Sequence, residues 1–104
     1  MKYLFLSIIL VGFLFSQDFE EIDSNLENRN FEDVIIPLNK LNIEYPQNLD
    51  ILVRLSAAHH LLSEKTYDKK MDSYHLDKAM DYITEAIKID STNGQVHKWY
   101  ALAY

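Results

Sequence analysis

The chain has no cysteine, and its 104 residues include only two glycines and two prolines. Without cysteine it has no disulfide, no thiolate metal ligand and no cysteine nucleophile. The scarcity of glycine and proline argues against the many turns of an all-β chain and against a phosphate-binding glycine loop. Basic residues are also few: ten stand against sixteen acidic ones, for a net charge of −6. This charge opposes binding to phosphate backbones, so we expect no nucleic-acid partner.

The beginning of the chain differs from the rest. Lys2 precedes a nearly unbroken apolar run at residues 3–15, and the small residue Ser16 follows that run. This layout is typical of a secretory signal peptide. An apolar helix of this length rises about 20 Å, short of a hydrocarbon core of about 30 Å, so a permanent anchor is the weaker alternative. We therefore expect a signal peptide at residues 1–16 and one domain at 17–104, exported to the periplasm or the extracellular space.

In the segment 17–104, apolar residues recur at spacings of three and four, which predicts amphipathic helices. Asn30 is the expected N-cap of the second helix, a third helix should start after Asn48, and a fifth should start at Val96. The mixed-charge stretch 63–73 is predicted to form the extended ends of two helices around a short turn. The fold class is therefore all-α. The apolar positions of the first two helices are Phe19, Ile22 and Leu26, then Phe31, Val34, Ile35, Leu38 and Leu41.

Two helix-turn-helix units are visible in the spacing of large and small residues, and a third unit begins near the end. The first helix of a unit carries a large residue, a leucine and a small residue in order: Leu52, Leu55 and Ser56, and again Trp99, Leu102 and Ala103. The second helix of one unit carries Ala79, Ile83 and Ala86. This pattern resembles the tetratricopeptide repeat. The resemblance implies a helical solenoid of two units plus the first helix of a third, although Pro37 and bulky Val34 depart from the pattern.

A narrower resemblance depends on the string Val96–Ala103 and on extra residues between Leu62 and Leu76. In these features the chain is similar to regulator of microtubule dynamics proteins and their bacterial relatives. A microtubule role does not follow from this resemblance, because an exported chain does not meet cytoplasmic microtubules and the matching residues carry no specific chemistry.

The tetratricopeptide resemblance implies a binding surface on the concave wall formed by the first helix of each unit. The positions that would line this wall in the third helix are Asp50, Val53, Ala57 and His60, with Arg54 beside them. Arg54 either pairs with a partner carboxylate or balances the acidic surface in solvent. We therefore expect an exported scaffold that binds a protein or peptide.

A small metal-binding or ligand-carrying helical domain is the alternative. Glu64 follows His60 by four residues on the same helix face, and His75 is the third candidate ligand. His59 points about 100° away from His60 and is expected at the edge of the core. We expect no metal site and no cofactor, so this alternative ranks second.

Catalysis is not expected. The chain has no Gly-x-Ser-x-Gly turn and no His-Glu-x-x-His helix. The adjacent acidic residues Glu32 and Asp33 lie in the first turn of a helix, where the helix dipole favours them without any catalytic role.

The last helix ends within its own pattern, so Trp99, Tyr100 and Leu102 are expected to lack a second helix to cover them. Either the sequence is a fragment of a longer protein, truncated at its C-terminal end, or these side chains are covered by self-association.

Overall fold

The computed structural model describes residues 19–65 and 67–103, and the regular structure in these ranges is entirely α-helical. Helix α1 covers residues 19–27 and is followed by α2 (Glu32–Glu44), α3 (Leu49–Lys65), α4 (Lys69–Ile89) and α5 (Gly94–Ala103). The predicted all-α class is confirmed. The expected signal peptide at residues 1–16 lies outside the described residues.

The helices pack in the order of two helix-turn-helix units and the first helix of a third. Helices α1 and α2 form the first unit, α3 and α4 the second, and α5 begins the third. Helix α3 is central because it packs against α2, α4 and α5. The contact between α3 and α5 joins the first helices of successive units, as stacking into a solenoid requires.

Two clusters of buried side chains form the core. The first cluster joins α1, α2 and α3 through Ile22, Val34, Leu38, Leu41, Ile51, Leu55 and Ala58. The second joins α3, α4 and α5 through Leu52, Ile83, Ala86 and Val96. Leu52 and Leu55 are three residues apart on α3 but belong to different clusters. Helix α3 therefore contributes buried apolar surface to both parts of the core.

The turns explain where α2 and α3 begin. Arg29 and Gln47 adopt the left-handed conformation, with φ of 63° and 62°, in the turns before these helices. The side chain of Asn48 accepts a hydrogen bond of 3.2 Å from the backbone nitrogen of Ile51 and so caps α3. The predicted start of this helix after Asn48 is confirmed. The expected cap at Asn30 is wrong: Phe31 occupies the N-cap position of α2, without a side-chain cap hydrogen bond.

Side-chain caps also begin α4 and α5. Asp68 accepts a hydrogen bond from the backbone nitrogen of Lys70 and begins α4, so residues 63–65 and 69–73 belong to two helix ends, as predicted for this stretch. Asn93 caps α5 by accepting from Val96 and from Gln95. This cap places the start of α5 at Gly94, two residues before the expected start at Val96.

Pro37 lies inside α2 and does not end it. Among the described residues, no helix has the length and the apolar character that a membrane crossing requires.

Candidate functional site

A groove of about 330 Å³ lies between α1, α3 and α5, the first helices of the successive units. Four of the five sequence-predicted site residues line it: Asp50, Val53, Arg54 and Ala57. The same wall of α3 also carries Leu49, while α1 contributes Asp23 and Leu26, and Asn93, Gln95 and Trp99 close the other side. The structure therefore gathers the predicted surface residues of α3 at one site.

Helical periodicity explains why α3 supplies this wall. Asp50, Val53 and Ala57 are three and four residues apart, and Arg54 follows Asp50 by four, so all four lie on one side of the helix. The apolar residues Leu52, Leu55 and Ala58 occupy the other faces and are fully buried. One face of α3 thus lines the groove while the others hold the core together.

Arg54 has its partners within the chain. Its Nε and Nη2 atoms donate hydrogen bonds of 2.8 and 2.9 Å to the two carboxylate oxygens of Asp23, in the paired geometry that suits a guanidinium group. Nη1 donates to the backbone oxygen of Asp50, and the guanidinium carbon lies 3.9 Å from the centre of the Phe19 ring. Neither sequence-based interpretation of Arg54 anticipated this: the side chain fastens α1 to α3.

The carboxylates of the groove remain accessible to a ligand. The side chain of Asp23 is 50% exposed and that of Asp50 is 70% exposed, whereas that of Arg54 is only 23% exposed. The two aspartates and one arginine leave the lining with a net negative charge. Apolar surface beside these charges comes from Leu26, Leu49, Val53, Ala57 and Trp99. The groove can therefore accept a segment that carries both apolar and basic side chains.

His60, the fifth predicted residue, lies next to the groove. Its ring meets the ring of Trp99 edge to face, with centroids 5.8 Å apart. Its Nε2 is 3.4 Å from Oε1 of Glu64, as the spacing of four residues predicts. The buried Nδ1 of His60 has no hydrogen-bond partner among the described residues. His60 therefore contacts a residue of the groove lining but does not itself line the groove.

No second helix follows α5 among the described residues, but the existing helices partly cover Trp99 and Tyr100. Both are partly buried and pack against the second core cluster, which α3, α4 and α5 share. Leu102, in contrast, is 50% exposed. The sequence pattern singled out Trp99, but it gave no signal that α5 would bring this ring to the groove.

The candidate metal ligands are not brought together. Among residues 19–65 and 67–103, no group of three or more histidine or acidic side chains is arranged to hold a metal ion. His60 and Glu64 are neighbours, but Nδ1 of His75 lies 2.9 Å from Nδ1 of His59. His59 is buried, as expected of a histidine at the edge of the core. These positions do not support the metal-binding alternative.

Two other depressions are larger than the groove. One of about 520 Å³ lies between α1 and α2 and includes Ile22, Pro37 and Ile43 in its lining. Another, of about 510 Å³, lies where α2, α3 and α4 meet and is lined in part by Leu62, Met71 and His75. Neither includes a site residue that the sequence predicted, with the exception of His75 from the metal-binding alternative.

Comparison with protein families supports the narrower resemblance. The family model described as regulator of microtubule dynamics protein 1-3 matches residues 18–104. Comparisons with curated proteins and with solved structures gave no match.

Proposed function

The chain belongs to the regulator of microtubule dynamics protein 1-3 family, and we propose that it is an exported helical-repeat scaffold that binds a segment of another protein in the groove between α1, α3 and α5. The observation that carries this proposal is that the walls of the groove all come from the first helices of successive units. Three helices that begin successive units each contribute to one depression lined by apolar and acidic side chains.

The proposal treats the units as tetratricopeptide-like and the groove as their concave face. The order of large and small residues supports this, as does the contact between the first helices α3 and α5. Extended grooves of stacked repeats bind peptides and partner helices through many small contacts. A protein segment therefore suits this site better than a compact small molecule.

The chemistry of the groove defines the partner. Asp23 and Asp50 present exposed carboxylates, and the only positive charge in the lining, Arg54, is already paired. The chain as a whole carries a net charge of −6. A partner segment with lysine or arginine beside apolar residues meets complementary charge on approach and apolar surface on contact.

Export is part of the proposal because residues 1–16 have the layout of a signal peptide. For an exported chain the partner is a periplasmic or extracellular protein, not a microtubule. No catalytic step is assigned to the groove, and no nucleic acid is expected to bind it, because its net charge is negative.

Selection of binders from a random peptide library displayed on phage, with the whole chain immobilised, tests the proposal. We expect the selected peptides to be enriched in lysine or arginine next to apolar residues. Asp50→Lys should weaken their binding about tenfold or more, because it reverses an exposed charge in the groove. Asp77→Lys makes the same change at an exposed position on α4, outside the lining, and should change the affinity less than about twofold.

The melting temperature of both variants is measured alongside, so that loss of binding is separated from loss of folding. Enrichment of acidic peptides, or equal weakening by Asp50→Lys and Asp77→Lys, would show that the groove is not the binding surface.

A further inference from the structure

His59 and His75 join the extended ends of α3 and α4. Their Nδ1 atoms are 2.9 Å apart, a hydrogen-bond distance, and their ring centroids are 5.1 Å apart. His59 is buried, and its ring also stacks on Tyr82 of α4 at a centroid distance of 5.8 Å. The ring of Tyr74 meets both histidines nearly edge to face. The proposed function uses none of these groups.

The geometry of the pair is that of a hydrogen bond, not that of a chelate. The centroid separation is close to the nitrogen separation plus the two ring radii, so the centroids and the two nitrogens lie almost on one line. The Nδ1 positions therefore face each other directly. Two lone pairs that bind one metal ion would instead converge on a point away from this line. One ring donates an Nδ1–H and the other accepts it.

This arrangement limits how many protons the pair can hold. In the neutral pair, one ring carries its proton on Nδ1 and the other carries it on Nε2. A first added proton binds Nε2 of the donor ring, and the Nδ1–H to Nδ1 bond remains, now charge-assisted. A second added proton has only the accepting Nδ1 left to bind. It places two N–H groups and two positive charges face to face, so the hydrogen bond is lost.

We propose that the pair of His59 and His75 is an acid-sensitive latch, which joins α3 to α4 while at least one Nδ1 is unprotonated and releases these helix ends when both rings are charged. The ends lie beside the depression of about 510 Å³ that includes Leu62, Met71 and His75. Release of the latch widens this depression and exposes its apolar lining.

Burial, together with the charged groups around the pair, sets the order of protonation. Asp72, on the same helix, favours the charged form of His75, although burial lowers the pKa of His75 overall. Burial, His75 and Lys78 together lower the pKa of His59 from 6.5 to about 4. Glu32 of α2 and Lys65 of α3 line the adjoining depression. Their charged atoms are 3.9 Å apart, so the two opposite charges largely offset each other there. His75 therefore takes the first proton and His59 the second.

The direction of the pH effect follows from these pKa values. Between pH 6.5 and about 4, His59 binds a proton more readily in the unfolded chain than in the folded one. The stability that depends on neutral His59 is therefore complete above pH 6.5 and falls as the pH is lowered towards 4. Near pH 4 the folded protein takes up the second proton as well, and the latch opens.

Amide hydrogen exchange of the whole chain between pH 7 and 4, corrected for the intrinsic pH dependence, tests the latch. We expect protection at residues 59–65 and 69–75 to fall about tenfold or more relative to residues 79–86 over this range. His75→Phe keeps a ring of similar size without a titrating group and should make the relative protection of these ends clearly less dependent on pH, with only the burial of His59 and its neighbour Lys78 left to cause a response. His97→Gln removes a histidine outside the pair and should leave the wild-type response unchanged.

Nitrogen chemical shifts of the two imidazoles in the unmodified chain provide a test that needs no variant. At pH 7 we expect a proton on Nδ1 of one ring and on Nε2 of the other. A proton on Nε2 alone in both rings would overturn the proposal, because the hydrogen bond would then not exist. An equal pH response in the wild type and in His75→Phe would overturn it as well.

Discussion

The hydroxyl group of Ser56 donates a hydrogen bond of 2.8 Å to the backbone oxygen of Ala79 where α3 crosses α4. Ser56 is 1% exposed and Ala79 is fully buried. A direct bond from one helix's side chain to the other's backbone requires close approach, which is possible because neither residue carries a large side chain. Ser56 and Ala79, both small positions of the repeat pattern, thus meet where the two helices pack closely.

Enlarging Ala79 should separate the two helices. We expect Ala79→Leu to lower the free energy of unfolding by about 1–3 kcal/mol, because extra methylene groups in a packed core displace their neighbours. Urea denaturation followed by circular dichroism measures the change. Ala101→Leu makes the same substitution at an exposed position of α5 and should change stability by less than about 0.5 kcal/mol. Equal effects of the two substitutions would contradict close packing at Ala79.

The attachment of α1 depends on the shape of the Arg54 side chain as well as on its charge. Arg54→Lys keeps the charge but loses the paired hydrogen bonds to Asp23 and the stacking on Phe19. We expect amide exchange in residues 19–27 to become about threefold to tenfold faster, because the pair is partly exposed and contributes only about 1 kcal/mol. The rest of the chain should keep its protection.

Lys65→Ala is the matched control for Arg54→Lys. It removes an exposed ion pair with Glu32, in which the closest atoms are 3.9 Å apart. We expect this change to cost less than about 0.5 kcal/mol and to leave exchange in residues 19–27 unchanged. Unaltered exchange of α1 in Arg54→Lys would mean that its apolar contacts, such as that of Ile22, are sufficient to hold it.

The sequence predicted those features that depend on local periodicity. The helices and the shared face of Asp50, Val53 and Ala57 follow from spacings of three and four residues. The resemblance to tetratricopeptide repeats, in turn, implied that this face of α3 lines a groove, as it does.

Contacts between distant residues could not be predicted in this way. Arg54 and Asp23 are 31 residues apart, and each alone looks like a solvated charge on a helix face. His59 and His75 are 16 residues apart, and their contact depends on the relative rotation of α3 and α4.

The start of α4 should depend on the Asp68 side chain. Its carboxylate accepts a hydrogen bond of 2.9 Å from the backbone nitrogen of Lys70, one of the amides that an α-helix leaves unsatisfied. We expect Asp68→Ala to destabilise the chain by about 1 kcal/mol and Asp68→Asn to retain most of the stability. Thermal melting measures both. Asp81→Ala, at an exposed position within α4, is the control; a loss as large as that of Asp68→Ala would indicate a general effect of charge.

Trp99 should report directly on the groove, because it is the only tryptophan of the chain and lines the site. A bound peptide excludes water from the exposed part of the indole ring, so we expect its emission to shift to shorter wavelength during titration with a selected peptide. Trp99→Leu should weaken binding about tenfold, since aromatic side chains supply much of the energy at such sites. Tyr67→Leu changes an aromatic ring that is fully exposed outside the groove and should leave the affinity unchanged. A peptide that binds without altering the emission of Trp99 would place the binding surface elsewhere, for example in the larger depression between α1 and α2.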